Sequence, residues 1–473
     1  MHSTIPELLA ATVADSPESL WLITDDASWT FQQASLEVDR LAAGLAVMGV
    51  SQGDRVVVVA RNEPRYVFVW LALMRLGAIQ VPINPAGSEA EFDGFVDQVR
   101  PRLVLTDADL DALERTTAGP VPEVNVSPDD LAVLIPTSST TGRSKLVMQT
   151  HRAYAWAGES FGWWMQLTSE DRLMTSLPLF HINAPTYSVL GSIAARASLV
   201  LLPRFSGSDF IDAARRHGAT EFNAIGAMLE ILMRQPERPD DADNPLRLCY
   251  TGPSPTEQRQ LQIEERFGFE IVCGYALSES PFGLIWRHGT RPFGTLGWPR
   301  QHPELGVVNE ARVVNGELQL NNPTVMRGYF EMPDETASVL VEGWLHTGDL
   351  VEQNDDGSFT FVGRRKEVIR RRGENLSPVE VEACLESHPD VVEAAVIGVP
   401  SDMSEDEVKA FVIAGPNRSI DVEALYGHAR KQLARFKVPR YFEVVSELPH
   451  TPTGRIAKHQ LSTERNDQEV DCD

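Results

Sequence analysis

The stretch Leu131-Ala-Val-Leu-Ile-Pro-Thr-Ser-Ser-Thr-Thr-Gly-Arg-Ser-Lys145 constrains this chain more than any other. It begins as a branched, apolar run, the composition of a buried strand, and passes at once into small hydroxyl side chains. Thr137, Ser138, Ser139, Thr140 and Thr141 are followed by Gly142, Arg143, Ser144 and Lys145. Successive backbone N–H groups in a turn form a concavity for anions, hydroxyls add donors without filling it, and a lysine adds a point charge. The expected ligand of such a loop is phosphate. A helix opening near His151 is expected to aim its positive end at the same region. The spacing is not that of a Walker loop, because the segment holds no Gly-Lys pair.

On both sides of this loop the pattern alternates strand and helix. Arg55 to Ala60, Ile79 to Ile83 and Leu103 to Leu105 read as strands, with helices over Tyr66 to Gly77 and Glu89 to Val99. Later strands are expected at Ser198 to Leu202, Glu221 to Ile225, Leu246 to Tyr250 and Glu270 to Cys273, and helices at Asp209 to His217 and Thr256 to Phe267. Repeated units of this kind predict an α/β fold whose mostly parallel sheets are covered on both faces. Ligands then bind beyond the carboxyl ends of strands, which directs attention to Thr251-Gly-Pro-Ser-Pro255 and Gly274-Tyr-Ala-Leu-Ser-Glu279.

From about Gly306 the rhythm changes. Ala311 to Val314 and Glu317 to Leu320 flank Asn315-Gly316, a turn-favouring dipeptide, and predict a hairpin within a small antiparallel unit. After Gly363 a strand, helix, strand, strand, helix, strand pattern predicts a separate, smaller α+β domain. The final polar residues, Glu464 to Asp473, are expected to be disordered.

Composition excludes several classes. A chain of 473 residues exceeds one core, and 42% hydrophobic residues exclude wholesale disorder. A net charge of −25 argues against a general nucleic-acid binder. The four cysteines show no metal-ligand spacing and no disulfide framework. No basic-then-apolar leader and no bilayer-length apolar window is evident, so a cytoplasmic location is expected.

The order of Thr137-Ser-Ser-Thr-Thr-Gly142 with Lys145, Gly274-Tyr-Ala-Leu-Ser-Glu279, Gly316-Glu-Leu, Gly328-Tyr329, Thr347-Gly-Asp349, Gly363-Arg-Arg-Lys366, Gly373-Glu-Asn-Leu376 and Pro452-Thr-Gly-Arg-Ile-Ala-Lys458 resembles the adenylate-forming superfamily of acyl- and aryl-CoA synthetases, peptide-synthetase adenylation domains and firefly luciferase. The resemblance spans roughly Trp29 to Leu461. It implies a large N-terminal domain over 1–365 holding ATP and the acyl substrate, and a mobile C-terminal domain over 366–473 that turns at Lys366.

The resemblance also implies roles. Thr137, Ser138, Ser139, Thr140, Thr141 and Lys145 would hold phosphate, Glu279 magnesium, and Ser278 phosphate or metal. Asp349 would take the ribose and Arg364 the ribose or phosphate. Tyr275 would stack on adenine between Gly274 and Ala276, with Gly252, Pro253 and Ser254 as the other wall. The acid would lie near Trp156, His181, Asn183, Ile225, Gly226 and Gly252, with His181 gating the entrance. Arg372, Gly373 and Glu374 would flank the CoA thiol. The absence of a carboxylate near His181 disfavours an α-amino acid substrate.

Departures from the family pattern are informative. Ser139, Ser144 and Leu146 replace the usual Gly, Pro and Gly, and Ala276 replaces a Gly, each narrowing backbone freedom or adding a side chain. Arg455 stands directly after Gly454, where the family carries its adenylation lysine, and Lys458 lies three residues on. Lys458 is the expected replacement, assisted by Arg455. Arg371-Arg-Gly-Glu-Asn-Leu-Ser377 resembles the form seen in carnitine-type and related acyl-CoA ligases, which favours an ATP- and CoA-dependent acyl-CoA synthetase. A ligase loading an acyl carrier protein is the alternative, and a catalytically silent sensor, motivated by Arg455, the second. A monomer or homodimer is expected.

Overall fold

The computed structural model describes residues 2–114, 119–137, 145–252, 254–304, 309–365, 367–371, 374–400, 406–415, 418–450, 456–466 and 468–472. Contacts divide it into two units, one formed by Met1–Ala311 with Leu320–His346, the other by Arg312–Gln319 with Thr347–Asp473. This division lies upstream of the expected 365/366 boundary and assigns most of the Asn315-Gly316 hairpin to the second unit.

The first unit contains two sheets. In one, Leu103–Thr106, Arg55–Val59, Ile79–Pro82 and Leu131–Thr137 lie parallel, in that order, and Lys145–Thr150 closes the edge antiparallel to Leu131–Thr137. In the other, Glu270–Leu277, Leu248–Gly252, Glu221–Ile225, Arg172–Thr175, Ser198–Leu201 and Leu20–Ile23 run parallel, with antiparallel strands at both ends. The valines of Arg55–Val59 show why: β-branched side chains suit a pleated surface covered on both faces, and Val56, Val57 and Val58 are buried. The helix Pro64–Arg75 is buried continuously from Tyr66 to Met74, as required of a helix that is apolar all round. The helix His151–Trp164 approaches Leu190–Ala195 closely at Gly158, where a Cβ would come within 2.4 Å of the Leu190 Cβ.

Two local features go beyond the pattern read from sequence. Lys145–Thr150 is a strand, paired from Thr137↔Lys145 to Leu131↔Thr150. The start of the His151 helix therefore lies roughly 20 Å along the strand from Lys145. The segment 138–144, on which the expected helix-to-loop approach rests, lies outside the described residues. Likewise Gly274-Tyr-Ala-Leu is not loop: the strand runs from Glu270 to Leu277 and turns at Ser278-Glu279 into Ser280–Ile285, because it gains an antiparallel partner where its parallel one ends.

In the second unit, Asn315 and Gly316 both adopt positive φ, 50° and 79°, as a two-residue hairpin turn matching strand twist demands. In this unit the strand Trp344–Gln353, from Thr347 on, pairs antiparallel with Phe359–Arg364 and shares a small sheet with the hairpin Arg312–Gln319. Helices Pro378–Glu386 and Val422–Gln432 accompany a second sheet of Val391–Pro400, Asp406–Ala414, Tyr441–Val444 and Glu469–Asp471. The last strand corrects the expectation of a disordered tail. Glu469 reaches the fully buried ammonium of Lys409 at 2.8 Å, and Glu443 meets it at 2.9 Å. A buried cation needs these carboxylates, so the tail is anchored.

Candidate active site

In the first unit the Leu131–Thr137/Lys145–Thr150 hairpin and the segment around Tyr329 are joined by backbone. Met148 donates to Gly328 O at 2.9 Å, Phe330 to Leu146 O at 2.8 Å, and Met326 to Glu279 O at 2.8 Å. Gln149 Nε2 donates to Ser278 O at 2.6 Å. These bonds bring Lys145, Ser278, Glu279 and Tyr329 into one constellation. The Lys145 ammonium stands 4.4 Å from the centre of the Tyr329 ring, and the Tyr329 hydroxyl donates to Glu279 Oε1 at 2.9 Å. Burial, with the neighbouring carboxylate, pushes the Tyr329 phenol well above its usual range, so it remains a donor. Sequence reasoning quoted Tyr329 only as part of a motif. Glu279 lies 50 residues before it, and no local pattern announces their bond.

Beside this group lie the ends of parallel strands. The register pairs Ile225 with Gly252 and Thr251 with Cys273, which sets Gly252 against Gly274. A Cβ on Gly252 would stand 2.4 Å from Gly274 O, so the wall is glycine because backbones meet there. Tyr275 pairs with Leu284, and the register shifts between Tyr275 and Leu277, placing Ala276 at an irregularity. Ser254 Oγ donates to Pro255 O at 3.3 Å.

His181 and Asn183 precede a π-helical turn, Ala184–Val189, a geometry frequent at functional sites. Asn183 Oδ1 accepts from Asn223 Nδ2 at 2.9 Å, which ties this turn to the strand ending at Ile225 and to the helix beginning at Gly226. Trp156, on the helix His151–Trp164, lies under the Arg152 guanidinium at 5.5 Å.

The second unit holds the remaining described residues. Asp349 and Arg364 are cross-strand partners, and Arg364 Nε meets Asp349 Oδ1 at 3.0 Å. Asp349 is almost wholly buried while Arg364 is 40% exposed. The Thr347 hydroxyl donates to Leu318 O at 2.7 Å and accepts from the Asp349 N–H at 3.1 Å, fixing the turn. Lys458, in a short 3-10 turn, is held by Glu382 at 2.7 Å and Glu367 at 3.3 Å. Burial raises the Glu382 carboxyl, Lys458 opposing that shift. Ser138, Ser139, Thr140, Thr141, Pro253, Lys366, Arg372, Gly373 and Arg455 lie outside the described residues, as does the side chain of Glu374.

The Glu279 carboxylate, held by the Tyr329 hydroxyl whose ring carries Lys145, fits a hard divalent ion shared with phosphate oxygens rather than an all-protein cage. Among the described residues no cluster of three or more His, Cys, Asp or Glu could hold a metal by itself.

The Lys145–Tyr329–Glu279 constellation on its hairpin, with the Asp349–Arg364 pair of the second unit, fits an adenylate-forming enzyme. The model of the AMP-binding enzyme family matches residues 9–330, and that of its C-terminal domain matches 380–455. Crotonobetaine/carnitine–CoA ligase of Salmonella agona is 30% identical over 485 residues, covering 91% of this chain and 93% of its own. O-succinylbenzoate coenzyme A synthetase of Bacillus subtilis, solved with AMP, superposes with a TM-score of 0.88 at 26% identity, covering 98% and 99% of the two chains. The same enzyme solved with ATP and magnesium gives 0.85 over 96% and 98%, again at 26% identity. The chain belongs to the AMP-binding enzyme family, and within it to the acyl-CoA synthetase type. Among the described residues, no helix is long and apolar enough to cross a membrane.

Proposed function

We propose that this protein activates a carboxylic acid with ATP and magnesium and transfers the acyl group to CoA. The carrying observation is the meeting of Lys145 and Glu279 on Tyr329 beside the glycine-lined strand ends. Two anions must be brought together, so the site needs a cation and a hard oxygen donor held in place beforehand. A substrate carboxylate oxygen attacks the α-phosphorus, the bond to the β-phosphate oxygen breaks, and pyrophosphate leaves. The CoA sulfur then attacks the acyl carbon, loses its proton, and AMP departs.

In this reading Lys145 and the 137–141 hydroxyls receive the phosphates, and Glu279 with Ser278 would hold magnesium, which supplies charge neutralisation when bound. Tyr329 orients the Glu279 carboxylate. Tyr275, Gly274, Ala276, Gly252, Pro253 and Ser254 take the adenine, and Asp349 with Arg364 the ribose. Asn183, Ile225, Gly226, Gly252 and Trp156 surround the acid behind His181. Lys366 is the hinge, and Arg372, Gly373 and Glu374 serve the thiol. The 1–365 and 366–473 domains alternate between the half-reactions. The enzyme works in the cytoplasm as a monomer or homodimer.

Carboxylate-dependent exchange of pyrophosphate into ATP, followed by CoA-dependent release of AMP, tests the proposal. Release with a phosphopantetheinylated carrier protein but not with CoA would transfer the assignment to carrier loading, and absence of exchange with every acid would leave a sensor. Glu279→Gln or Lys145→Ala should lower exchange about 10²-fold or more. Lys366→Pro should spare exchange and impair thiol transfer, and equal loss of both half-reactions would refute the hinge.

A further inference from the structure

Strands alternate their faces, so Asn223 and Ile225 share one side of their strand, and Tyr250 and Gly252 share the matching side of the next. Asn223 is registered with Tyr250, and Ile225 with Gly252. If Ile225 and Gly252 stand at the mouth of the acyl pocket, Asn223 and Tyr250 lie about 7 Å deeper along the strands. At this level the side chain that meets Tyr250 is Arg300.

Arg300 is fully buried. Its Nε donates to Leu284 O at 3.0 Å, and its Nη2 donates to the Tyr250 hydroxyl. Nη1 has no hydrogen-bond partner. The guanidinium carbon stands 4.6, 5.2 and 5.3 Å from the ring centres of Trp164, Tyr187 and Tyr250. Among the described residues no carboxylate forms an ion pair with it. Three aromatic faces offset part of the desolvation of a buried cation, but they do not replace a counter-ion. Gly274 lets the guanidinium and the phenol close on the backbone: a Cβ there would stand 2.8 Å from Arg300 Nη2 and 2.8 Å from the Tyr250 hydroxyl.

We propose that Arg300 is a specificity-determining residue at the floor of the acyl pocket, and that the acid activated carries a second carboxylate, received by the buried Nη1 of the guanidinium, which has no hydrogen-bond partner of its own. This rests on the ligase reading above. The substrate class is then a dicarboxylic acid: one carboxylate attacks ATP and the other neutralises Arg300. The planar fork of arginine suits a bidentate carboxylate, and the aromatic walls of Trp164, Tyr187 and Tyr250 suit a flat or apolar spacer.

Pyrophosphate exchange by the full-length protein with matched acids of equal carbon number, butyrate against succinate, hexanoate against adipate and benzoate against terephthalate, tests the proposal. In at least one pair the diacid should exceed the monoacid in kcat/KM by tenfold or more, the size of one charge-assisted hydrogen bond. Arg300→Met should reduce the diacid-to-monoacid ratio at least tenfold, and Arg300→Lys should recover part of it. A monoacid preference in every pair, or an unchanged ratio in Arg300→Met, would overturn the proposal while leaving the ligase reading intact. Silence of the wild type with every acid would overturn both. Should Arg300→Met fail to fold, the wild-type ratios alone decide.

Discussion

The Tyr329 hydroxyl donates to Glu279 Oε1 across 2.9 Å while Lys145 stands 4.4 Å above the same ring. One phenol thus spaces the cation proposed for phosphate from the carboxylate proposed for magnesium. Tyr329→Phe retains the ring under Lys145 and removes only the bond to Glu279. The expected outcome is a fall of about tenfold in pyrophosphate exchange, the effect of one hydrogen bond to a charged group, accompanied by a higher magnesium requirement. An unchanged magnesium titration would show that Glu279 is oriented without Tyr329.

Lys458 is engaged by Glu382 and Glu367 within the second unit, so its ammonium is not idle in this arrangement. If those pairs are its main role, Lys458→Ala should destabilise the protein by a few kcal/mol, because Glu382 lies largely buried and would lose its cation. Exchange per folded molecule would then change little, and Arg455→Lys would raise it. If Lys458 serves adenylation, as the sequence reading holds, Lys458→Ala should instead lower exchange about 10²-fold. Urea denaturation and exchange measured on the same preparations separate the two.

Lys409 shows what composition concealed in the tail. Its ammonium is fully buried between Glu443 and Glu469, and a third contact runs to Glu464 O at 3.3 Å. Removing residues 465–473 should therefore lower the stability of the second unit by about 3 kcal/mol, since breaking a buried pair leaves a charge uncompensated. Lys409→Met in the truncated chain should restore much of this loss. Equal melting of full-length and truncated proteins would contradict the anchoring.

The order of strands and helices in the first half was legible because branched apolar runs such as Arg55–Val59 record burial locally. Lys145–Thr150 was not, because a strand created by antiparallel pairing to Leu131–Thr137 depends on its partner more than on its own residues. The tail strand failed for the same reason: Glu469 reads as solvated until Lys409, 60 residues earlier, is placed beside it. Of the candidate residues, Lys145, Glu279 and Asp349 stood in motifs. Arg300 lay in Trp298-Pro-Arg-Gln301, where nothing announces a cation surrounded by rings.

Glu221 supplies a prediction in pH. Both carboxylate oxygens are buried without a hydrogen-bond partner, and burial raises its pKa well above the ordinary value, with Arg247 opposing and Asp171 reinforcing the shift. The folded protein therefore favours the protonated form. A group raised in the folded state contributes stability in full below its unfolded pKa, about 4.3, and loses it as pH climbs through the folded value. Stability attributable to Glu221 should thus decline from weakly acidic towards alkaline pH. Glu221→Gln, which mimics the neutral acid, should be close to wild type near pH 4.5 and more stable at pH 8, by about 1.4 kcal/mol for each unit of upward shift traversed. Urea midpoints of both proteins across pH 5 to 8 provide the measurement. Parallel curves would mean that Glu221 is ionised in the folded protein, with Arg247 as its effective counter-charge.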